Sequence, residues 1–271
     1  MTISEEPTII AKPSVTNRKK INLKKSNMNT SATIEKMYKM RLHGMKRAYE
    51  SSFETRNQDT FTNDEFISWL IESEDNHRNN TRTERLIKNA RFHYQASLEE
   101  MNHTADRNLD RNLLTRLSDC SFIDRNENII ITGCTGTGKS FLATALGYQS
   151  CIKGYRVLYY NLGKLFQKLM LAKADGSYIR ELNKIENYDL LIIDDFGLQA
   201  INNDKQMILM DLIEDRNQKR ATIFCSQLPI KNWYDLIEEK TIADAILDRI
   251  IHSAIRFELK GESMRKKMKK Q

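Results

Sequence analysis

Nothing in this chain of 271 residues approaches the roughly 18 consecutive apolar residues that a membrane-spanning helix requires. The opening residues carry Glu5 and Glu6 where a leader would have an apolar core, so a cytoplasmic location with no membrane partner is expected. Cysteine is scarce and scattered: Cys120, Cys134, Cys151 and Cys225 form no C-x-x-C pair. That scatter signals neither a zinc site nor a disulfide framework, and the four read as buried, reduced thiols. Internal repeats and zinc-finger spacing are also missing. Glycine is sparse at ten residues, yet three of the ten fall within residues 131–140.

What is present is an ordinary globular composition, 40% hydrophobic and 29% charged, with room for one substantial domain and a smaller one. The net charge of +7 sits at the two ends. Residues 1–29 hold six basic and two acidic side chains, and residues 260–271 hold six and one, so the body between is slightly acidic. A solvated Lys-rich tail is the commoner arrangement. Such tails also favour phosphate polyanions by counterion release, which makes nucleic acid a candidate partner.

The organisation along the chain follows from its periodicities. Residues 1–30 mix Pro, Ser, Thr, Asn and Lys and read as a disordered basic arm. From Ile34 apolar residues recur at helical spacing through Met37, Tyr38, Leu42, Met45 and Tyr49. Thr62 and Glu65 make a capping-box pattern ahead of Phe66, Ile67, Trp69 and Leu70, and predict a second helix start. A third helix is predicted over about residues 78–94, with Arg78, Arg82 and Arg85 on one face, Lys88 and Arg91 drifting round from it, and Glu84 the single acid. That stripe fits a solvated face as well as contacts to a nucleic-acid backbone. Residues 31–120 therefore read as a small all-α domain that binds DNA or a partner. After Asn128, short apolar runs at 129–132, 156–160, 190–194, 222–225 and 255–259 alternate with helical segments such as 140–153 and 204–219. Runs without polar alternation suit strands buried on both faces, and predict an α/β three-layer sandwich around a parallel sheet over residues 121–260.

One stretch carries chemistry outright. Gly133, Cys134, Thr135, Gly136, Thr137, Gly138, Lys139 and Ser140 match G-x-x-x-x-G-K-[S/T] in full, after a strand pattern and before a helical one. In this motif glycines turn backbone N–H groups onto phosphates, and the helix N-terminus adds partial positive charge. Lys139 would reach the β- and γ-phosphates of ATP, and the Ser140 hydroxyl would bind Mg²⁺. Residues 188–195 form an apolar run that ends in Asp194 and Asp195, where a parallel sheet delivers carboxylates to the ligand crevice. Asp194 would hold Mg²⁺ through water and Asp195 would orient the attacking water. Arg249, just before the last strand, and Arg265, just after it, are placed to supply positive charge to a phosphoryl-transfer transition state; from composition alone an ordinary surface residue is the commoner reading of each.

Together the loop at 133–140, the run Leu190 to Leu198, the segment Ser226 to Pro229 and the tail from Thr241 through Arg249 to Arg265 resemble the IstB-like AAA+ ATPases. These are transposition helper proteins, relatives of helicase loaders of the DnaC type, and the resemblance covers about residues 32–267. It implies an AAA+ P-loop fold, ATP-dependent assembly of a homo-oligomer on duplex DNA, bending of that DNA and its delivery to a cognate transposase. By the same resemblance, residues 133–140 are the Walker A loop and Asp194 and Asp195 the Walker B pair. Gln227 looks like the first sensor, Arg249 like the finger that reaches a neighbouring subunit's ATP, and Arg265, in a basic C-terminal helix over residues 261–271, like the second sensor. Most members of the broader class place Glu where Asp195 stands, and this chain ends soon after Arg265, short of the usual helical lid. Both departures predict slow intrinsic hydrolysis that depends on DNA or a partner.

Three other readings share the phosphate loop: a helicase loader, a small-molecule kinase and a nucleotide-gated structural protein. A loader on single strands would be expected to interleave aromatics as stacking platforms, whereas residues 78–91 are basic without aromatics, though Phe92 and Tyr94 follow. A kinase has little use for a basic helical front section.

Overall fold

The computed structural model describes residues 29–55, 61–100 and 110–261, so most of the expected basic arm and the whole expected C-terminal helix with Arg265 lie outside the described residues. The chain divides into two compact units at Thr81 and Arg82.

The first unit holds a helix over residues 29–39 (α1), α2 (His43–Thr55) and the front of α3 (Asn63–Ala90). The capping box expected at its entrance is formed: Glu65 Oε2 accepts the Thr62 N–H at 2.8 Å, and the Glu65 N–H donates to Thr62 Oγ1 at 3.3 Å. The second and third helices expected from sequence are one helix of 28 residues. No glycine or proline interrupts residues 63–90, so nothing stops the helix between them. It ends at Ala90 because Arg91 takes a left-handed conformation, φ 59–63° being shared by Arg41 and Arg91, and Phe92 and Tyr94 therefore lie beyond it.

A buried carboxylate joins α2 to α3. Glu74 accepts the N–H groups of Gly44 at 2.8 Å and Met45 at 3.1 Å, two first-turn donors of α2 that have no partner inside their own helix, and it accepts Arg78 Nε at 2.7 Å. The helices approach so closely that a Cβ on Gly44 would lie 2.4 Å from the Ser73 carbonyl oxygen.

In the second unit, α4 (Arg111–Leu117) and α5 (Ser121–Asp124) lead into β1 (Ile129–Gly133), α6 (Lys139–Ile152), β2 (Val157–Asn161), α7 (Leu162–Ala174), α8 (Tyr178–Glu186), β3 (Leu190–Phe196), α9 (Asn203–Arg216), β4 (Ala221–Ser226), α10 (Lys240–Ile251) and β5 (Ile255–Leu259). All pairings are parallel, in the order β2-β3-β4-β1-β5. Each apolar run expected as a strand is one. Successive residues feed two separate cores, as the period of two requires. Ile130, Leu158, Leu191, Ile193 and Phe224 pack with α7, α9 and α10, while Ile129, Ile131, Val157, Ile192 and Ile223 pack with α6 and with α4 and α5. This is the three-layer α/β sandwich.

The boundary between the units falls well before residue 120, where the sequence pattern had placed it. Leu114, Leu117 and Phe122 bury their side chains in the core of the sheet, which ties α4 and α5 to the second unit. Among the described residues, no helix is long and apolar enough to cross a membrane.

Burial alone would raise the Glu74 pKa, but the hydrogen bonds from Arg78, Met45 and Gly44 outweigh it and hold the carboxyl below its ordinary value. A depressed folded pKa contributes stability that is present above the unfolded value and lost as pH falls through the folded one. Helical melts followed by circular dichroism should therefore weaken on the acid side, and Glu74→Gln should flatten that dependence. Glu74→Ala should cost about 1–3 kcal/mol by orphaning two buried donors. Identical acid-side profiles for wild type and Glu74→Gln would contradict the clamp.

Candidate nucleotide site

The parallel register ends β1, β3 and β4 at one edge of the sheet. Thr132 is level with Ser226, and Phe196 with Ser226 after a register shift between Ile193 and Phe196. That edge collects the residues expected to handle a nucleotide.

The loop that follows β1 depends on its glycines. Gly133 has φ +148°, and a Cβ there would lie 2.4 Å from the Leu259 carbonyl oxygen on β5, so only hydrogen fits. Gly136 and Gly138 also have positive φ, and Gly138 is the N-cap of α6 with no side-chain capping bond. The first-turn N–H groups of α6 are thus left to an anion. Inside the loop the Cys134 carbonyl accepts Lys139 Nζ at 2.8 Å and Thr137 Oγ1 at 2.9 Å, which curls the backbone round the lysine. Lys139 is buried, and burial pushes its pKa down although Asp194 and Asp195 oppose the shift. A desolvated ammonium held by a carbonyl is a strong recipient for a phosphate. The expectation that all four cysteines are buried fails at Cys134, which is exposed: the loop turns its backbone inward and the side chain outward.

The two carboxylates have different settings. Asp194 is buried, with one oxygen accepting the Asp195 N–H at 2.9 Å and the other accepting the Tyr159 hydroxyl. Burial, and then the adjacent Asp194 charge, push the Tyr159 phenol pKa up, so it stays a donor. Asp195 has φ +57°, rare for a residue with a side chain, and its carboxylate accepts Asn161 Nδ2 at 2.7 Å. Asn161 ends β2, caps α7 and is level with Asp194. Sequence reasoning missed both Tyr159 and Asn161; each lies in the last three residues of an edge strand, and no motif marks them. Ser140 and Asp194 offer a hydroxyl and a carboxylate, the hard oxygen set that Mg²⁺ takes alongside substrate phosphates. Among the described residues there is no group of three or more His, Cys, Asp or Glu that could hold a metal by itself, so phosphate oxygens would have to complete such a site.

Gln227 is brought to the same edge: its Oε1 accepts Thr135 Oγ1 at 2.7 Å. The turn after it is anchored by Ser226 Oγ, which donates to the Phe196 carbonyl at 2.7 Å, and by buried Trp233, which donates to the Leu228 carbonyl at 3.1 Å.

Arg249 is elsewhere. It sits near the C-terminus of α10, its backbone carbonyl accepting Asn128 Nδ2 at 3.3 Å, and Asn128 precedes β1. The arginine is therefore at the strand-start edge, with β1, about 16 Å long at about 3.3 Å per residue, between it and the loop of its own subunit. Its guanidinium donates to the Ala245 carbonyl at 2.8 Å and lies 3.6 Å from Glu214 Oε1 on α9.

The basic residues of α3 have separate settings. Arg78 pairs with Glu74, Arg82 donates to the Gly154 carbonyl at 3.4 Å, and Arg91 donates to the Tyr160 hydroxyl at 2.9 Å with its guanidinium over that ring. Arg82, Arg85 and Lys88 are exposed.

A five-stranded parallel sheet, a complete phosphate loop after β1 and paired carboxylates at the end of β3, with β4 between the two strands, define a P-loop nucleotide-binding protein of the AAA+ class. The chain belongs to the IstB-like ATP-binding proteins, whose family model matches residues 35–271. It is 36% identical over 238 residues to the insertion sequence ATP-binding protein y4pL of Sinorhizobium fredii, which covers 88% of this chain and 97% of that protein. With the ATP-binding protein of insertion sequence IS21 from Pseudomonas aeruginosa it shares 32% identity over 206 residues, 76% of this chain and 78% of that protein. Among solved structures its fold is similar to DnaA from Aquifex aeolicus bound to AMPPCP, with a TM-score of 0.53 at 20% identity over 66% of this chain and 55% of that chain. DnaI is similar at a TM-score of 0.50 and 20% identity, over 65% of this chain and 93% of that chain.

Gly133→Ala should abolish measurable ATP binding by calorimetry and cost about 1–3 kcal/mol in a denaturant melt, because both the added Cβ and the required φ are unfavourable. Wild-type affinity in that variant would mean that the loop tolerates displacement from β5.

Proposed function

We propose that this protein is an ATPase that assembles on duplex DNA when it holds ATP, bends that DNA and presents it to the transposase of its insertion sequence. The observation that carries the reading is the position of Arg249. A guanidinium at the strand-start edge cannot reach the loop of its own subunit, but it is well placed to reach the nucleotide of a second subunit. ATP bound at 133–140 would then be enclosed only when a neighbour supplies Arg249, so assembly and hydrolysis are linked. Lys139 and the α6 N-terminus hold the phosphates, Gln227 lies beside them, and Asp195, oriented by Asn161, positions the water for in-line attack. Ser140 and Asp194 would hold Mg²⁺, which would supply charge neutralisation at the phosphates. Asp195 has one methylene fewer than glutamate at the water-positioning place, which supports slow turnover until assembly tightens the geometry.

Two features support DNA as the surface of assembly: the basic ends of the chain and the exposed Arg82, Arg85 and Lys88. Each subunit's weak contacts to the phosphate backbone multiply when ATP joins subunits side by side. Bending a site of 20–30 base pairs costs about 1–6 kcal/mol, which such an array can offset.

The solution mass of the protein with duplex DNA, compared between ATP and ADP at fixed salt, tests this directly. A large complex that needs both ATP and duplex is expected; a monomer in both states, or assembly on single strands alone, would overturn it. Arg249→Ala should keep the ATP affinity of a single subunit while losing about 10³–10⁵ in DNA-stimulated hydrolysis, as removal of an arginine finger does. Asn161→Ala should lower the hydrolysis rate with assembly intact.

A further inference from the structure

The strand-start edge holds more than Arg249. A cleft of about 620 Å³ opens there, within the size range of ligand pockets, between the starts of β1 and β4 and the end of α10. Four guanidinium groups, those of Arg125, Arg216, Arg220 and Arg249, line it together with His252, against two carboxylates, Glu127 and Asp248. Arg125 is largely neutralised, because its guanidinium lies 3.0 Å from Glu127. The other three arginines leave a surplus of positive charge.

Arg216 is the source of that surplus. It is almost wholly buried, and its guanidinium donates to the carbonyls of Ile185, Tyr188 and Ala221 and to Thr222 Oγ1, with no carboxylate among these partners. Carbonyl dipoles satisfy its hydrogen bonds but do not cancel its charge, which persists as potential in the cleft beside it. Burial, and then repulsion from Arg220, push the Arg216 pKa down to about 9. An anion in the cleft would relieve that repulsion. Arg220 is half-buried: its nearest acid is Asp189 at 4.0 Å, which already forms a closer pair with Arg156 at 2.9 Å. Arg249 is held to α9 by a loose 3.6 Å pair with Glu214 that a stronger anion can displace.

We infer that this cleft is a polyphosphate-binding site that receives the nucleotide presented by a neighbouring subunit, with Arg220 as a second cationic contact beside Arg249. The inference rests on the reading of Arg249 as acting across subunits and extends it from one side chain to a site. Asn128 fixes the geometry: its Nδ2 donates to the carbonyls of Arg249 and Ile250 at 3.3 Å each, and its Oδ1 accepts the Thr222 N–H at 3.1 Å, so the end of α10 is tied to the strand starts that line the cleft.

Inorganic tripolyphosphate titrated calorimetrically into full-length Lys139→Ala protein, whose own loop is disabled, should bind at one site and weaken as salt rises. Adding Arg220→Ala should weaken it about tenfold, as expected for one lost charge-assisted hydrogen bond, with little change in melting temperature because the half-buried Arg220 makes only a loose 4.0 Å ion pair. No binding to the Lys139→Ala protein, or binding indifferent to Arg220→Ala, would overturn the site. The source of the phosphate is decided by mixing. Lys139→Ala subunits keep the cleft and Arg220→Ala subunits keep ATP, so on duplex DNA their mixture should show stronger ATP-dependent association than either variant alone. If the mixture stays dissociated while duplex DNA binds Lys139→Ala through Arg220 without ATP, the cleft serves the DNA backbone and the inference fails. Arg249→Ala run in parallel separates the two claims: if it hydrolyses ATP at the wild-type stimulated rate, the reading across subunits falls while tripolyphosphate binding still reports on the cleft.

Discussion

The parallel register of β1, β3 and β4 is the constraint on which this protein's chemistry depends. Because these strands run the same way and are buried on both faces, their ends are level, and every loop that leaves them starts at one edge. Gly133, Asp194 and Gln227 lie 33 or more residues apart in the chain, yet arrive together because slipping any strand by one residue would turn its core side chains to the wrong face. The packing also sets the limits of the loop. Gly133 cannot carry a side chain because β5 passes 2.4 Å from where a Cβ would be.

The same sheet separates charge. At its strand-end edge a buried lysine feels the charge of two carboxylates, Asp194 and Asp195. The strand-start edge is dominated by arginine, one of them buried without a carboxylate partner. A subunit therefore presents an anion-carrying edge and an anion-seeking edge, joined by rigid strands. Complementary edges on one molecule favour head-to-tail, heterologous association, which is the geometry of rings and filaments. Under the proposed function, nucleotide state would control such association, since the phosphates would be the charge that one edge offers to the other.

Two polar side chains with no place in any motif complete the site. Tyr159 and Asn161, on the same edge strand, hold Asp194 and Asp195 at different angles, and Asp195 keeps a left-handed backbone that its neighbours must maintain. The left-handed backbone at Asp195 is what gives the two adjacent carboxylates different hydrogen-bond partners.

How much of this was legible in the chain differs with the range of the interactions involved. The phosphate loop could be read directly, because eight contiguous residues, a preceding strand and a following helix set their own backbone geometry. The strands could be read too, since burial on both faces leaves continuous apolar runs. Helix α3 was read as two pieces, one from the capping box at Thr62 and Glu65 and one from the basic stripe that begins at Arg78, although it contains no glycine or proline to break it. The affiliation of α4 and α5 was invisible, because Leu114, Leu117 and Phe122 look alike whichever core they enter. Tyr159, Asn161 and the arginine-lined cleft are products of strand pairing and of packing between distant segments. By itself the sequence determined the local chemistry, a phosphate cradle and a pair of carboxylates, since those depend on neighbours along the chain. Only the tertiary structure decided which polar groups support them and that Arg249 faces away from its own nucleotide, because those relations depend on which strands lie side by side.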